Sequence, residues 1–189
     1  MIRSIARVLA TLAACFLLAG CLVSNKALFA PDRADFPLPD GTTLIQVGST
    51  EPGEHERGRA VLIREDDGYR LRALSGVDFA EQNNTLFQLK RIDATADTVL
   101  YALQTKRTDG AGWRYASVMF WSKSRIANFR MFDGVGNCAE LRAHGLMRNG
   151  MAEAPDGCSV PDFATLTAIL RQDSKDRAVN STSRIYRVQ

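Results

Sequence analysis

The sequence predicts an α+β protein that is mainly β. The expected sheet is an antiparallel meander of about seven or eight strands forming a curved sheet or partial barrel, with two short helices near the C-terminus. Three observations predict it. Between Thr42 and Phe132, short β-branched and aromatic runs recur with polar connections between them. Asp67-Gly68 stands between two apolar runs, a dipeptide that accepts the positive φ of a tight hairpin. Beyond Phe132 the apolar residues change from alternation to helical spacing. At 189 residues, 46% hydrophobic and 24% charged, the chain suits one globular domain; this excludes a disordered chain, collagen, a coiled-coil rod and a polytopic membrane protein.

Residues 1–20 read as a signal peptide. Arg3 and Arg7 form a positive start without acids, and Val8–Ala19 is apolar apart from Thr11. That run is shorter than the roughly 20 residues of a spanning helix. It ends in Leu18-Ala19-Gly20-Cys21, which resembles the bacterial lipobox. In this the chain is similar to the small envelope lipoproteins of Gram-negative bacteria. The resemblance covers residues 1–21 alone. It implies cleavage before Cys21, a diacylglyceryl group on the Cys21 thiol, and acylation of the new amino group by a chain such as palmitate. Each buried methylene contributes about 0.8 kcal/mol, so two or three chains make release from a bilayer negligible. Leu22, rather than Asp, follows the cysteine, which the resemblance associates with the inner leaflet of the outer membrane rather than the inner membrane. The expected location is therefore the cell envelope, with the domain facing the periplasm.

The anchor changes the charge and cysteine arithmetic. The formal charge of +3 falls to about +1 once Arg3 and Arg7 leave with the signal. No nucleic-acid footprint remains, so neither nucleic acid nor nucleotide is expected as a partner. Cys15 leaves too, and Cys21 is acylated. Cys138 and Cys158 are then the remaining thiols, each with one available partner in an oxidising compartment. A disulfide across this short loop contributes about 3 kcal/mol in the chain-entropy treatment.

Residues 21–41 read as the lipidated Cys and a tether that Pro31, Pro37 and Pro39 stiffen, holding a single domain at 42–189 away from the lipid. Leu28, Phe29 and Phe36 are the residues of this stretch suited to dock on the domain. Strands are expected at Thr42–Val47, Ala60–Glu65 and Tyr69–Leu74, the last alternating Tyr69, Leu71 and Ala73 with Arg70 and Arg72. A polar loop, 49–58, separates the first two. Thr85–Ile92, Val99–Lys106, Trp113–Trp121 and Ile126–Phe132 continue the series through connections short enough for hairpins. Cys138–His144 suits a short helix stopped by Gly145, and Asp162 opens a second whose apolar stripe is Phe163, Leu166, Ile169 and Leu170. Gln172–Ser183 is polar and weakly patterned; Arg184–Val188 suits a last strand.

Sequence motifs for chemistry are sparse. Gly134-Val135-Gly136-Asn137-Cys138-Ala139 fits a relaxed dinucleotide fingerprint with Asp156 downstream, but no parallel βαβ unit surrounds it, so no cofactor is expected. His55 and His144 are too few and too poorly spaced for a metal site. Neither Gly-x-Ser-x-Gly nor Ser-x-x-Lys occurs, so no catalytic residue is assigned. Trp113–Phe132 stands out, with six of the fifteen aromatics beside Arg114, Lys123, Arg125 and Arg130. Trp113, Tyr115, Trp121, Arg125 and Arg130 form a candidate surface for a ligand or partner. The alternative is a central hairpin packed on both faces, with its basic residues snorkelling. The function expected is a non-catalytic interaction or assembly role in the envelope, with an envelope protein as partner. The runner-up is a carrier or sensor of a small amphiphile held in the curved sheet. A hydrolase is a weaker reading that needs His55 or His144 beside a serine and a carboxylate.

Overall fold

The computed structural model describes residues 21–48, 55–76, 84–107, 110, 112–131, 138–155, 157–176 and 182–189. The signal-peptide stretch, residues 49–54 of the polar loop, Phe132, Gly134, Gly136 and Asp156 lie outside the described residues. The chain is mainly β. Its elements are β1 (Cys21–Ser24), a 3-10 turn at Pro31–Arg33, β2 (Thr43–Gly48), β3 (His55–Glu65), β4 (Gly68–Ser75), β5 (Leu86–Ala94), β6 (Thr98–Lys106), β7 (Trp113–Trp121) and β8 (Ile126–Met131). There follow α1 (Cys138–Ala143), β9 (Ala152–Ala154), β10 (Gly157–Ser159), α2 (Phe163–Asp176) and β11 (Thr182–Val188).

All eleven strands belong to one mixed sheet, more strands than the seven or eight expected. From β2 to β8 each strand pairs antiparallel with the next. The sheet is not a simple meander, because β11 lies between β8 and β2 and pairs with both. The pairings therefore close into a ring of eight strands. β7 also carries a branch. Its residues Trp113–Tyr115 pair with β1, while Ala116–Trp121 pair with β8 on the same edge. β1 in turn pairs parallel with β10, and β10 antiparallel with β9.

Alternation along the strands sorts the side chains into two cores. Leu44, Leu62, Tyr69, Phe87, Leu103 and Val118 belong to the core inside the ring. On the outer side of β5–β7, Ile92, Leu100, Ala102 and Tyr115 meet Leu141, Leu166, Ile169 and Leu170 of the helices. β6 and β7 are thus buried on both faces. Asp162 starts α2 by accepting a hydrogen bond from the Thr165 amide at 2.7 Å, which holds its carboxyl below the usual carboxylate range. The helix runs on to Asp176, through residues that looked weakly patterned; Asp173 there is 1% exposed.

The hairpin at Asp67-Gly68 exists, but the glycine serves another purpose than expected. Glu65 pairs with Gly68, so Asp66 and Asp67 make the turn and Gly68 already belongs to β4. Its φ is not positive; a Cβ there would lie 2.4 Å from the Phe87 carbonyl oxygen. Gly68 is what lets β5 approach β4.

Candidate functional site

The stretch read as a tether is instead strapped to the domain from its second residue. Leu22 pairs with Tyr115 on one side and Cys158 on the other, and is 1% exposed. Val23 is 4% exposed. Prolines make a chain stiff, but what decides between spacer and strap is whether distant side chains satisfy its backbone. Here they do. The Gln104 side chain, fully buried, accepts from the Leu28 amide at 2.8 Å and donates to the Phe29 carbonyl at 3.0 Å. Its amide also donates to Gln88 Oε1 at 2.6 Å, so the buried pair satisfies itself. Tyr115 Oη donates to the Lys26 carbonyl, accepts from the Leu28 amide and meets Ser24 Oγ at 3.0 Å. Burial pushes that phenol up to about 12. Phe29 completes the contact edge-on against Phe163, ring centroids 5.5 Å apart.

Further along, Leu38 enters the ring. The Tyr69 hydroxyl accepts from its amide at 2.9 Å and donates to its carbonyl at 2.5 Å, while Phe36 sits edge-on to the Tyr69 ring. Phe36–Leu38 therefore plugs one end. Among the described residues, a void inside the ring bounded by Leu38, Leu62, Phe87, Tyr101, Val118 and Phe129 measures about 10 Å³. That is at the threshold for one water molecule. Two open grooves flank the plug, one of about 440 Å³ beside Phe36, Asp40 and Arg64, the other of about 470 Å³ beside Pro39, Phe120 and Arg125. In the first the groups are already engaged: the Arg64 guanidinium lies 4.2 Å from the Phe36 ring centre, and Asp40 accepts from the Arg64 amide.

Cys138 and Cys158 form a disulfide, both buried, joining α1 to β10. Because Cys158 faces Leu22 in the ladder, the bond braces the strand against which β1 lies. Cys21 is the first residue of β1, its backbone opposite Gly157.

The five residues of the aromatic and basic surface do not converge. Tyr115 is 1% exposed and occupied with Ser24, Lys26 and Leu28, so it offers no surface. Trp113 is partly buried against the outer core. Trp121 stands at the far end of β7, and Arg125 is exposed in the following turn with φ 52°. Arg130 lies on β8 opposite Ser117 and Ser183. Burial of β7 on both faces accounts for the aromatic density as packing. His55 begins β3 opposite Gly48, and His144 is exposed after α1. Among the described residues no three His, Cys, Asp or Glu side chains gather as a metal-binding group, and no helix is long and apolar enough to cross a membrane. No family model, curated protein or solved structure matches the chain.

Proposed function

We propose that this is a lipid-anchored, periplasm-facing envelope protein with a non-catalytic interaction or assembly role, its eight-stranded ring serving as a closed barrel that carries surfaces rather than cargo. The observation that carries the non-carrier reading is the small size of the void that the described residues leave inside the ring. Small-molecule sites occupy roughly 300–1,000 Å³, against about 10 Å³ inside the ring. Phe36–Leu38 fills the remaining entrance, so an amphiphile would have to displace the plug as well as core side chains. One feature supports the anchor: Leu18-Ala19-Gly20-Cys21 resembles a lipobox. The site of acyl attachment lies in the outer membrane's inner leaflet on this reading.

The test is mass spectrometry of two forms. The full chain expressed with its own N-terminus in a Gram-negative host should yield a Cys21-terminal peptide carrying acyl mass. The Cys21→Ser protein, secreted and purified gently, should show a native mass matching the bare chain. A reproducible lipid-sized excess on that variant would replace the interaction role with the carrier role. A Cys21 peptide without acyl mass would remove the anchor.

A further inference from the structure

The outer core beside β10 concentrates sulfur. Cys138 and Cys158 are bonded there, both buried. The Met147 thioether lies against them, its Sδ 3.9 Å from Cys158 Sγ. Met147 belongs to the loop 144–151 between α1 and β9, which also carries His144 and Met151. That one loop holds two of the five methionines and one of the two histidines, a density of soft donors that packing alone does not require. Unlike the cysteines, Met147 is half-buried and borders solvent.

The fold fixes where this thioether sits. Gly145, with φ 65°, ends α1, and the buried Leu146 then donates its amide to the Leu141 carbonyl at 2.7 Å. On the other side of Met147, Arg148 Nη1 donates to the Gly145 and Met147 carbonyls at 2.7 and 2.9 Å. Arg148 Nη2 donates to Gln172 Oε1 on α2. The loop is thereby pinned to both helices, with a guanidinium bound to the Met147 carbonyl. Met151 is occupied separately, its Sδ accepting from the Arg148 amide at 3.2 Å.

Three sulfurs around one ion have a characteristic spacing. Metal–sulfur bonds of about 2.3 Å in a trigonal plane put the sulfurs about 4 Å apart. The edge from Met147 to Cys158 has that spacing already. Between the cysteines, Cα atoms 5.0 Å apart let the two sulfurs separate to the same distance by side-chain rotation once they are unbonded. We infer that reduction of Cys138–Cys158 opens a soft-metal site, in which two thiolates and the Met147 thioether take a monovalent cation of the Cu(I) kind. Thiolate and thioether donors select such ions over harder ones. A dithiol opens the bond by exchange: its two thiols become a disulfide, and Cys138 and Cys158 take up the two electrons and two protons. The ion then displaces both protons to solvent, leaving a single negative charge that the neighbouring Arg148 compensates. With the bond closed, both thiolates are withdrawn and the site is shut. None of this depends on the lipid anchor.

The test uses the full chain with Cys15→Ser and Cys21→Ser, so that Cys138 and Cys158 are its thiols whatever happens at the N-terminus. Circular dichroism of the reduced, metal-free protein comes first; loss of the strand signal overturns the proposal, because the fold then no longer gathers the three sulfurs. Protein reduced with dithiothreitol and desalted without oxygen is titrated with Cu(I) against a chromophoric Cu(I) chelator, and X-ray absorption counts the sulfur neighbours. The expected result is one Cu(I) per reduced chain on three sulfurs, and none held by the disulfide form against the same chelator. Met147→Leu keeps the packing volume and should bind roughly tenfold more weakly or worse, through two sulfurs. Equal affinity and sulfur count with and without Met147 overturns the three-sulfur site. Cu(I) held equally by the disulfide form overturns the redox gate.

Discussion

Tyr115 Oη lies 3.0 Å from Ser24 Oγ, and the two residues are 91 positions apart in the chain. The contact joins the middle of β7 to the end of β1, and both hydroxyls also reach the Lys26 carbonyl. Ring and hydroxyl act separately here: the ring belongs to the outer core, whereas the hydroxyl holds the backbone leaving β1. Tyr115→Phe keeps the first and deletes the second. It should cost about 1–2 kcal/mol, because buried partners lose a bond they cannot replace with water. Urea unfolding measures the loss. Hydrogen exchange should accelerate first at residues 22–29, and unchanged protection there would refute the strap.

Alkaline titration should separate the buried tyrosines from free phenol. Burial raises the Tyr69, Tyr101 and Tyr115 hydroxyls, the last to about 12. In the unfolded chain they ionise near 10. Between those values the unfolded state has lost protons that the native state keeps, so stability falls with rising pH. The contribution of Tyr115 is fully present below pH 10 and lost as pH rises towards 12. Phenolate absorbance should therefore lag free tyrosine and then rise together with loss of circular dichroism. A smooth rise centred near pH 10 in folded protein would contradict the burial.

Replacing Cys138 and Cys158 together by alanine removes the brace behind β10. The chain-entropy treatment gives a loss of about 3 kcal/mol, or roughly 6–12 °C in Tm for a domain of this size. Calorimetry reads this directly. The fold itself should survive, since Leu141, Leu166 and Ile169 still bury the outer core.

Leu38→Ala should open the plugged end of the ring. The cost is about 2–5 kcal/mol, as for other buried leucines truncated to alanine. Unlike the wild type, the variant should bind a small apolar dye at the site Leu38 vacates. Equal dye binding by both proteins would mean that the plug does not close the interior.

Most of the ring was legible from the chain alone, because local pairing leaves a local signature. β4 alternates Tyr69, Leu71 and Ala73 with two arginines, and β7 sorts Trp113 and Tyr115 from Ala116 and Val118, as its two cores require. What escaped detection depends on distant partners. Cys21–Ser24 is four residues long and looks like the start of a linker; it is a strand because Tyr115 and Cys158 flank it. Ring closure needs β11 between β8 and β2, which no local pattern encodes. The prolines after Cys21 suggest a stiff stretch, but stiffness alone does not distinguish a spacer from a strap. Gly68 was seen for the right hairpin and the wrong reason, since a close approach by Phe87 cannot be read from turn chemistry. Trp113–Trp121 drew attention as a surface because strands buried on both faces and binding strands share a composition.

β1 comes first in the described chain, yet its partners come late: β7 is complete at Trp121 and β10 at Ser159. A chain delivered N-terminus first presents Cys21–Ser24 long before anything exists to receive it. Contacts of such large sequence separation are slow to form, and their unpaired strands remain open to other chains meanwhile. On the proposed lipid-anchor reading the interval has a use: while β1 waits, the backbone at Cys21 is open to a processing enzyme, and once the ladder to Gly157 forms it is not. Synthesis order would then give maturation a window that folding itself closes.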